Sequence, residues 1–268
     1  MAKRPNNTDR SSRPNRPAQR KSLPTIQVTI SQLNDEGVGI ARHEDKELLV
    51  AGALAGEKVL VAIEHSGQYR SIGRLRQVLE KSPLRRTAPC KLAERCQGCA
   101  LIQMDYAAQL RFKEARLKQA LAPYPALQNL QPLPIWAAEN PLGYRTSAKL
   151  ALTKQRGQVL VGLYRRGTHQ VVDIEGCPLH HPLINRILKA VKEEIQRQKI
   201  FIYDPKTRRG LLRYLLVKVS PGANKAMVTF VTAERDYREI THLAKWLARK
   251  VPRWSRSTRT SMARRAMW

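Results

Sequence analysis

Two folded units are predicted for this sequence, a small OB-like β-barrel followed by an α+β unit, giving a mixed β and α+β fold class. Three observations lead there. Five short strand-like runs punctuated by glycines fill residues 23 to 82, helical and strand periodicities alternate from residue 83 onward, and four cysteines are spaced as a clustered trio and a distant single. A chain of 268 residues suits two modest domains, and 42% hydrophobic residues are enough for a core in each. No apolar run approaches the roughly 18 residues that a membrane span needs, so no membrane association is expected.

Residues 1 to 22 are rich in Asn, Ser, Pro and Arg and almost devoid of large apolar side chains, so they cannot offset the entropy of ordering. They read as a disordered basic arm. The barrel then takes 23 to 82, with strands over Thr25 to Ile30, Gly37 to Ala41, Glu47 to Val50, Glu57 to Ile63 and Ser71 to Leu79. Barrels of this kind bind nucleic acid on a strand face, and Tyr69, Arg70, Arg74 and Arg76 supply stacking and phosphate-binding groups for one. Asp35-Glu-Gly-Val-Gly looks like the opening of a nucleotide-binding loop, but it lacks a third glycine and no helix follows it. Gly37 and Gly39 are therefore read as turn or bulge glycines.

The second unit spans 83 to 252. A helix is predicted over 105 to 121, capped by Asp105 and stopped before Pro123, with Leu110, Leu117 and Leu121 on one face. A proline-rich linker covers 123 to 141. Strands follow at 147 to 152, 158 to 163 and 170 to 174, then a helix from Pro182, a hairpin of 213 to 219 with 225 to 232, and a helix over 236 to 249.

Cys90, Cys96 and Cys99 form a Cys-x5-Cys-x2-Cys loop containing Gly98, and Cys177 precedes Pro178. Four thiols match the number that a tetrahedral zinc site or a cubane iron–sulfur cluster requires. Disulfides are the plain alternative. The Met1-Ala-Lys-Arg-Pro-Asn-Asn-Thr start has no apolar signal region, however, which points to a reducing cytoplasmic setting. Structural zinc usually pairs two Cys-x2-Cys knuckles, whereas a trio with a remote Cys-Pro favours iron–sulfur, and both metals stay open.

Charge supplies the next bound. Lys and Arg number 49 against 21 acids, a formal +28. Removing the +6 of residues 1 to 22 and the +5 of residues 253 to 268 still leaves +17 on the intervening body. The folded part therefore calls for a polyanion, and nucleic acid is the natural one. No protein partner is inferred.

The Cys-x5-Cys-x2-Cys loop, the Tyr106-Ala-Ala-Gln-Leu-Arg-Phe-Lys helix, Pro141-Leu-Gly-Tyr-Arg-Thr-Ser-Ala-Lys-Leu, Tyr164-Arg-Arg and Asp173-Ile-Glu-Gly-Cys-Pro-Leu, in that order behind a barrel, resemble the RNA m5U methyltransferase family. Within it, the bacterial enzymes that form 5-methyluridine in 23S ribosomal RNA are the most similar. The resemblance implies that the barrel is an RNA-contacting TRAM domain, that Cys90, Cys96, Cys99 and Cys177 hold a [4Fe-4S] cluster, and that 23S rRNA is the partner. It also implies a C-terminal Rossmann-like domain that binds S-adenosylmethionine.

That last domain is expected to be absent. No cofactor Gly motif is evident, each cysteine is already taken as a cluster ligand, and residues 253 to 268 hold five Arg but no Asp, Glu, Ile, Leu, Val, Phe or Tyr. The reading is an atypical basic tail, frameshifted or genuine. On this expectation the chain has no catalytic residues, cannot bind S-adenosylmethionine and is inactive alone; the alternative is a stand-alone RNA-binding iron–sulfur or zinc protein.

Overall fold

The computed structural model describes residues 24–165, 168–233, 238–251 and 254–261, the last of these in its backbone. The expected basic arm lies outside the described residues. Twelve strands and four α-helices are described, grouped around two six-stranded sheets.

The first sheet contains β1 (Thr25–Thr29), β2 (Gln32–Leu33), β3 (Gly39–His43), β4 (Lys46–Ala51), β5 (Lys58–Ser66) and β6 (Arg70–Glu80), in the order β1-β5-β6-β4-β3-β2. Its two edge strands are consecutive in sequence, and the Ser31 amide between them donates to the Ile40 carbonyl of β3 at 2.8 Å. The sheet therefore closes on itself, which removes its open edges. Alternation along the strands sends Ile30, Ala41, Leu48, Val50, Val59 and Val61 inward to a shared core. Gly37 is a turn residue with φ of +75°, and a Cβ there would come 2.8 Å from Leu101, so the turn needs glycine both for its backbone and for the contact.

The connection out of the barrel is pinned by Glu57, which is fully buried and ion-paired with Arg85. Beyond it come the single-turn α1 (Ala93–Cys96) and α2 (Tyr106–Leu121). Asp105 caps α2 by accepting from the Ala108 amide at 3.3 Å, satisfying one of the amides that a helix start leaves open. Only Ala108 of this helix is buried, and Leu117 is 47% exposed. Leu54, Met104 and Ala108, with Leu33 and Leu101, form a small core that joins the barrel to this segment.

The second sheet runs β12-β11-β10-β7-β8-β9 and is built from β7 (Ser147–Gln155), β8 (Gln158–Tyr164), β9 (Val171–Asp173), β10 (Leu212–Ser220), β11 (Lys225–Thr232) and β12 (Trp254–Ser261). Helices α3 (Pro182–Gln198) and α4 (Arg238–Lys250) put Ile184, Ile187, Val191, Leu243 and Leu247 into one core with Leu150, Val161, Leu215, Val217, Val228 and Phe230 of the strands. The Arg156-Gly157 turn between β7 and β8 has both residues at positive φ, which matches the right-handed twist of a two-residue hairpin. Pro182 starts α3 where its missing amide costs nothing.

The chain's last described segment differs from the sequence expectation. Residues 254–261 form β12, parallel to β11 and joined to it through α4, a β-α-β unit in which the backbone ladder and crossover helix, not aliphatic side chains, define the strand. Among the described residues, no helix is long and apolar enough to cross a membrane.

Candidate metal centre and nucleic-acid interface

The cysteine loop owes its shape to a few backbone bonds. The Ala93 amide donates to the Cys90 carbonyl at 3.2 Å and the Cys96 amide to the Leu92 carbonyl at 2.7 Å, winding the one-turn α1 between the first two cysteines. Gln97 then adopts a left-handed conformation, φ +53°, which ends the turn. At Gly98 a Cβ would lie 3.3 Å from Cys96 Sγ and 3.2 Å from Leu163, so a side chain there would intrude on the sulfur.

Cys177 arrives from across 77 intervening residues, just beyond β9. Its carbonyl accepts from the Asn185 side-chain amide at 2.9 Å and the His180 amide at 3.2 Å, which fixes the approach to α3. All four cysteines are free thiols, half-buried, and line a single small cavity with Leu92, Ala93, Ile102, Ile174 and Pro178. Cys96 and Cys177 also pack against the core of the second sheet.

Burial pushes the Cys99 thiol up to about 11, the nearness of Cys177 adding to it and Arg145 opposing it. Cys96 is raised as well, chiefly by burial, with the Gly98 amide pulling the other way. The thiols thus sense one another, and Arg145 is the cation that faces them. Sequence reading did not single out Arg145 as a site residue; its place in the Pro141-Leu-Gly-Tyr-Arg segment was the available signal. Among the described residues, no three His, Cys, Asp or Glu groups gather tightly about one ion-sized point.

The four barrel residues expected to meet RNA are less uniform than their spacing suggests. Tyr69 is 79% exposed in the turn before β6. Arg70 and Arg74 lie on one face of β6, and each is ion-paired, Arg70 with Glu47 at 2.9 Å and Arg74 with Glu64 at 3.1 Å. Arg76 is exposed, but the register jumps from Val61↔Leu75 to Leu60↔Gln77, so Arg76 is a bulge residue that breaks the alternation. Glu64 also holds Arg165, from the loop after β8, at 3.0 Å, which joins the barrel to the second sheet.

No protein-family model matches the chain. It is 42% identical over 228 residues to an uncharacterized RNA methyltransferase of Geobacter sulfurreducens, covering 85% of this chain and 46% of that protein. An uncharacterized RNA methyltransferase of Nostoc is 33% identical over 226 residues, 84% of this chain and 49% of the relative. Among solved structures, the Pyrococcus abyssi tRNA (uracil-54, C5)-methyltransferase in complex with S-adenosyl-L-homocysteine superposes with a TM-score of 0.60 at 25% identity, over 81% of this chain and 48% of that one. The chain spans about half the length of the curated relatives it matches.

These matches correct the fold reading. The expectation that the Rossmann-like methyltransferase domain is absent, with inactivity and an inability to bind S-adenosylmethionine as its corollaries, does not stand. What the chain matches is a stretch of RNA methyltransferases, one of them holding the cofactor product, and a chain that spans half of its relatives carries no statement about what lies outside it.

Proposed function

We propose that this chain belongs to an S-adenosylmethionine-dependent RNA methyltransferase that forms 5-methyluridine, and that it carries RNA-binding and cluster-holding residues of that enzyme. The observation that carries the reading is the superposition of 81% of the chain on a uracil-C5 RNA methyltransferase. The body charge of +17, which suits a polyanionic substrate, and the 42% identity to an uncharacterized RNA methyltransferase support it. Ribosomal RNA of the 23S type is the substrate that the sequence resemblance favours, acted on in the cytoplasm, with the barrel serving as a TRAM domain.

In this reading Cys90, Cys96, Cys99 and Cys177 hold a [4Fe-4S] cluster. Their fit is supported by the shared cavity and by the glycine that leaves room beside Cys96 Sγ. When bound, the cluster would supply a rigid anionic cross-link between loop and sheet. Arg145 then lies where it offsets the charge of the thiolates.

Methylation at C5 expels the C5 hydrogen, so transcripts labelled with tritium at that carbon report the reaction directly. The protein carrying this chain, purified from its native cells, should release tritium from 23S rRNA fragments in the presence of S-adenosylmethionine. Release from tRNA alone would reassign the substrate. Release from neither RNA would overturn the methyltransferase reading.

A further inference from the structure

The second sheet has two unlike faces. One is covered by α3 and α4 over an aliphatic core. On β7, β8 and β10 the other face carries Lys149, Tyr164, Tyr214 and Lys218, and the pairing Leu216↔Lys149 with Tyr214↔Ala151 sets their rows. Tyr164 is 44% exposed, with Tyr214 as the phenol that most affects its hydroxyl. The Lys149 ammonium stands 5.3 Å from the Tyr214 ring centre, and the Arg213 guanidinium lies 4.5 Å from Tyr203 and 6.0 Å from Tyr214.

We propose that this face is a base-stacking platform for single-stranded RNA. It rests on the RNA reading above and adds where, outside the barrel, the strand lies. Three observations support it. Aromatic rings interleaved with cations are the combination that binds unpaired bases together with their phosphates. The strands β7, β8, β10 and β11 contain no Asp or Glu at all, so nothing on them repels a polyanion. The platform is also continuous with the barrel, because Arg165, next to Tyr164, shares Glu64 with Arg74 of β6. A strand leaving Arg70 and Arg74 meets Tyr164 by way of Arg165, with Arg74 and Arg165 both held there by Glu64. Unpaired bases are required because the rings must insert against flat faces that a duplex hides.

The test uses the full chain and a fluorescein-labelled, mixed-sequence single-stranded oligoribonucleotide, read by anisotropy with a duplex of the same sequence as competitor. Tyr164→Ala and Tyr214→Ala should each weaken binding at least about fivefold, the loss of stacking on one base, while Tyr164→Phe and Tyr214→Phe stay within about twofold. The duplex should compete poorly. Photocrosslinking of the unmodified chain to 5-bromouridine RNA, which needs no variant, should label Tyr164, Tyr203 or Tyr214. If the unmodified chain binds RNA but the alanine variants bind equally well and no crosslink falls on this sheet, the platform is wrong and the RNA reading stands; some other partner then covers the face. If the unmodified chain binds no RNA, both fall together.

Discussion

The Arg85 guanidinium, largely buried, meets the fully buried Glu57 carboxylate side by side. Arg85 Nη2 donates to Oε2 at 2.7 Å while its Nε donates to Oε1, and a further bond runs from Nη2 to the Gly52 carbonyl at 2.8 Å. The Leu54 and Ser82 amides complete the carboxylate's shell at 2.8 and 3.3 Å. A buried charge is tolerable because every lone pair is used, and the pair fastens the end of the barrel to the segment leading into the cysteine loop.

Removing one partner should therefore be costly. Glu57→Ala strands a guanidinium and two amides, and should lower unfolding stability by about 3 to 5 kcal/mol. Urea denaturation measures it. A Glu57→Leu, Arg85→Met double variant should recover much of the loss, and a single-variant effect under about 1 kcal/mol would show that the pair holds little.

On the proposed cluster reading, Cys177→Ser should abolish the visible colour and most of the iron of anaerobically purified protein, since one of four ligands is gone. Because that ligand closes a long loop, the loss should also destabilise the second unit by about 4 kcal/mol on a chain-entropy scale. Colourless unmodified protein carrying one zinc per chain would refute the iron–sulfur assignment.

Tyr164 titrates late. Burial, and then the neighbouring Tyr214 phenol, push its hydroxyl up to about 12 from the ordinary 10.0. Because the folded value is raised, the stabilising contribution is complete below pH 10 and is lost as pH rises toward 12. An ultraviolet titration should show one fewer late-ionising phenol in Tyr164→Phe. An unchanged curve would mean that this tyrosine is not held as described.

The Asp105 cap carries a smaller effect. Asp105→Ala should cost about 1 kcal/mol and speed amide exchange in the first turn of α2, leaving the second sheet untouched. Hydrogen exchange resolved by residue is the measurement, and unaltered rates at Ala108 would remove the cap from the account.

What the sequence made legible was local. Asp105 before a helical run and Pro182 at a first turn each announce a boundary through local backbone chemistry. The shared cavity of the cysteines was foreseeable from thiol count and spacing. Three features were not. The bulge at Arg76 depends on register with β5, the approach of Arg145 to the thiols depends on tertiary folding, and β12 has no aliphatic pattern to reveal it. All three rest on pairings between distant segments, which periodicity within one segment does not encode.

The double pairing of Glu64 has a thermodynamic consequence for the proposed RNA surface. An arginine already neutralised by a carboxylate holds little condensed ion of its own to exchange, and a phosphate reaching Arg74 or Arg165 must first displace Glu64. The logarithmic slope of affinity against salt, about −0.7 per neutralised phosphate on a single strand, should accordingly be shallower than the formal charge suggests. Glu64→Gln would free two cations at once, so it should tighten RNA binding and steepen that slope, a gain of function from deleting a charge.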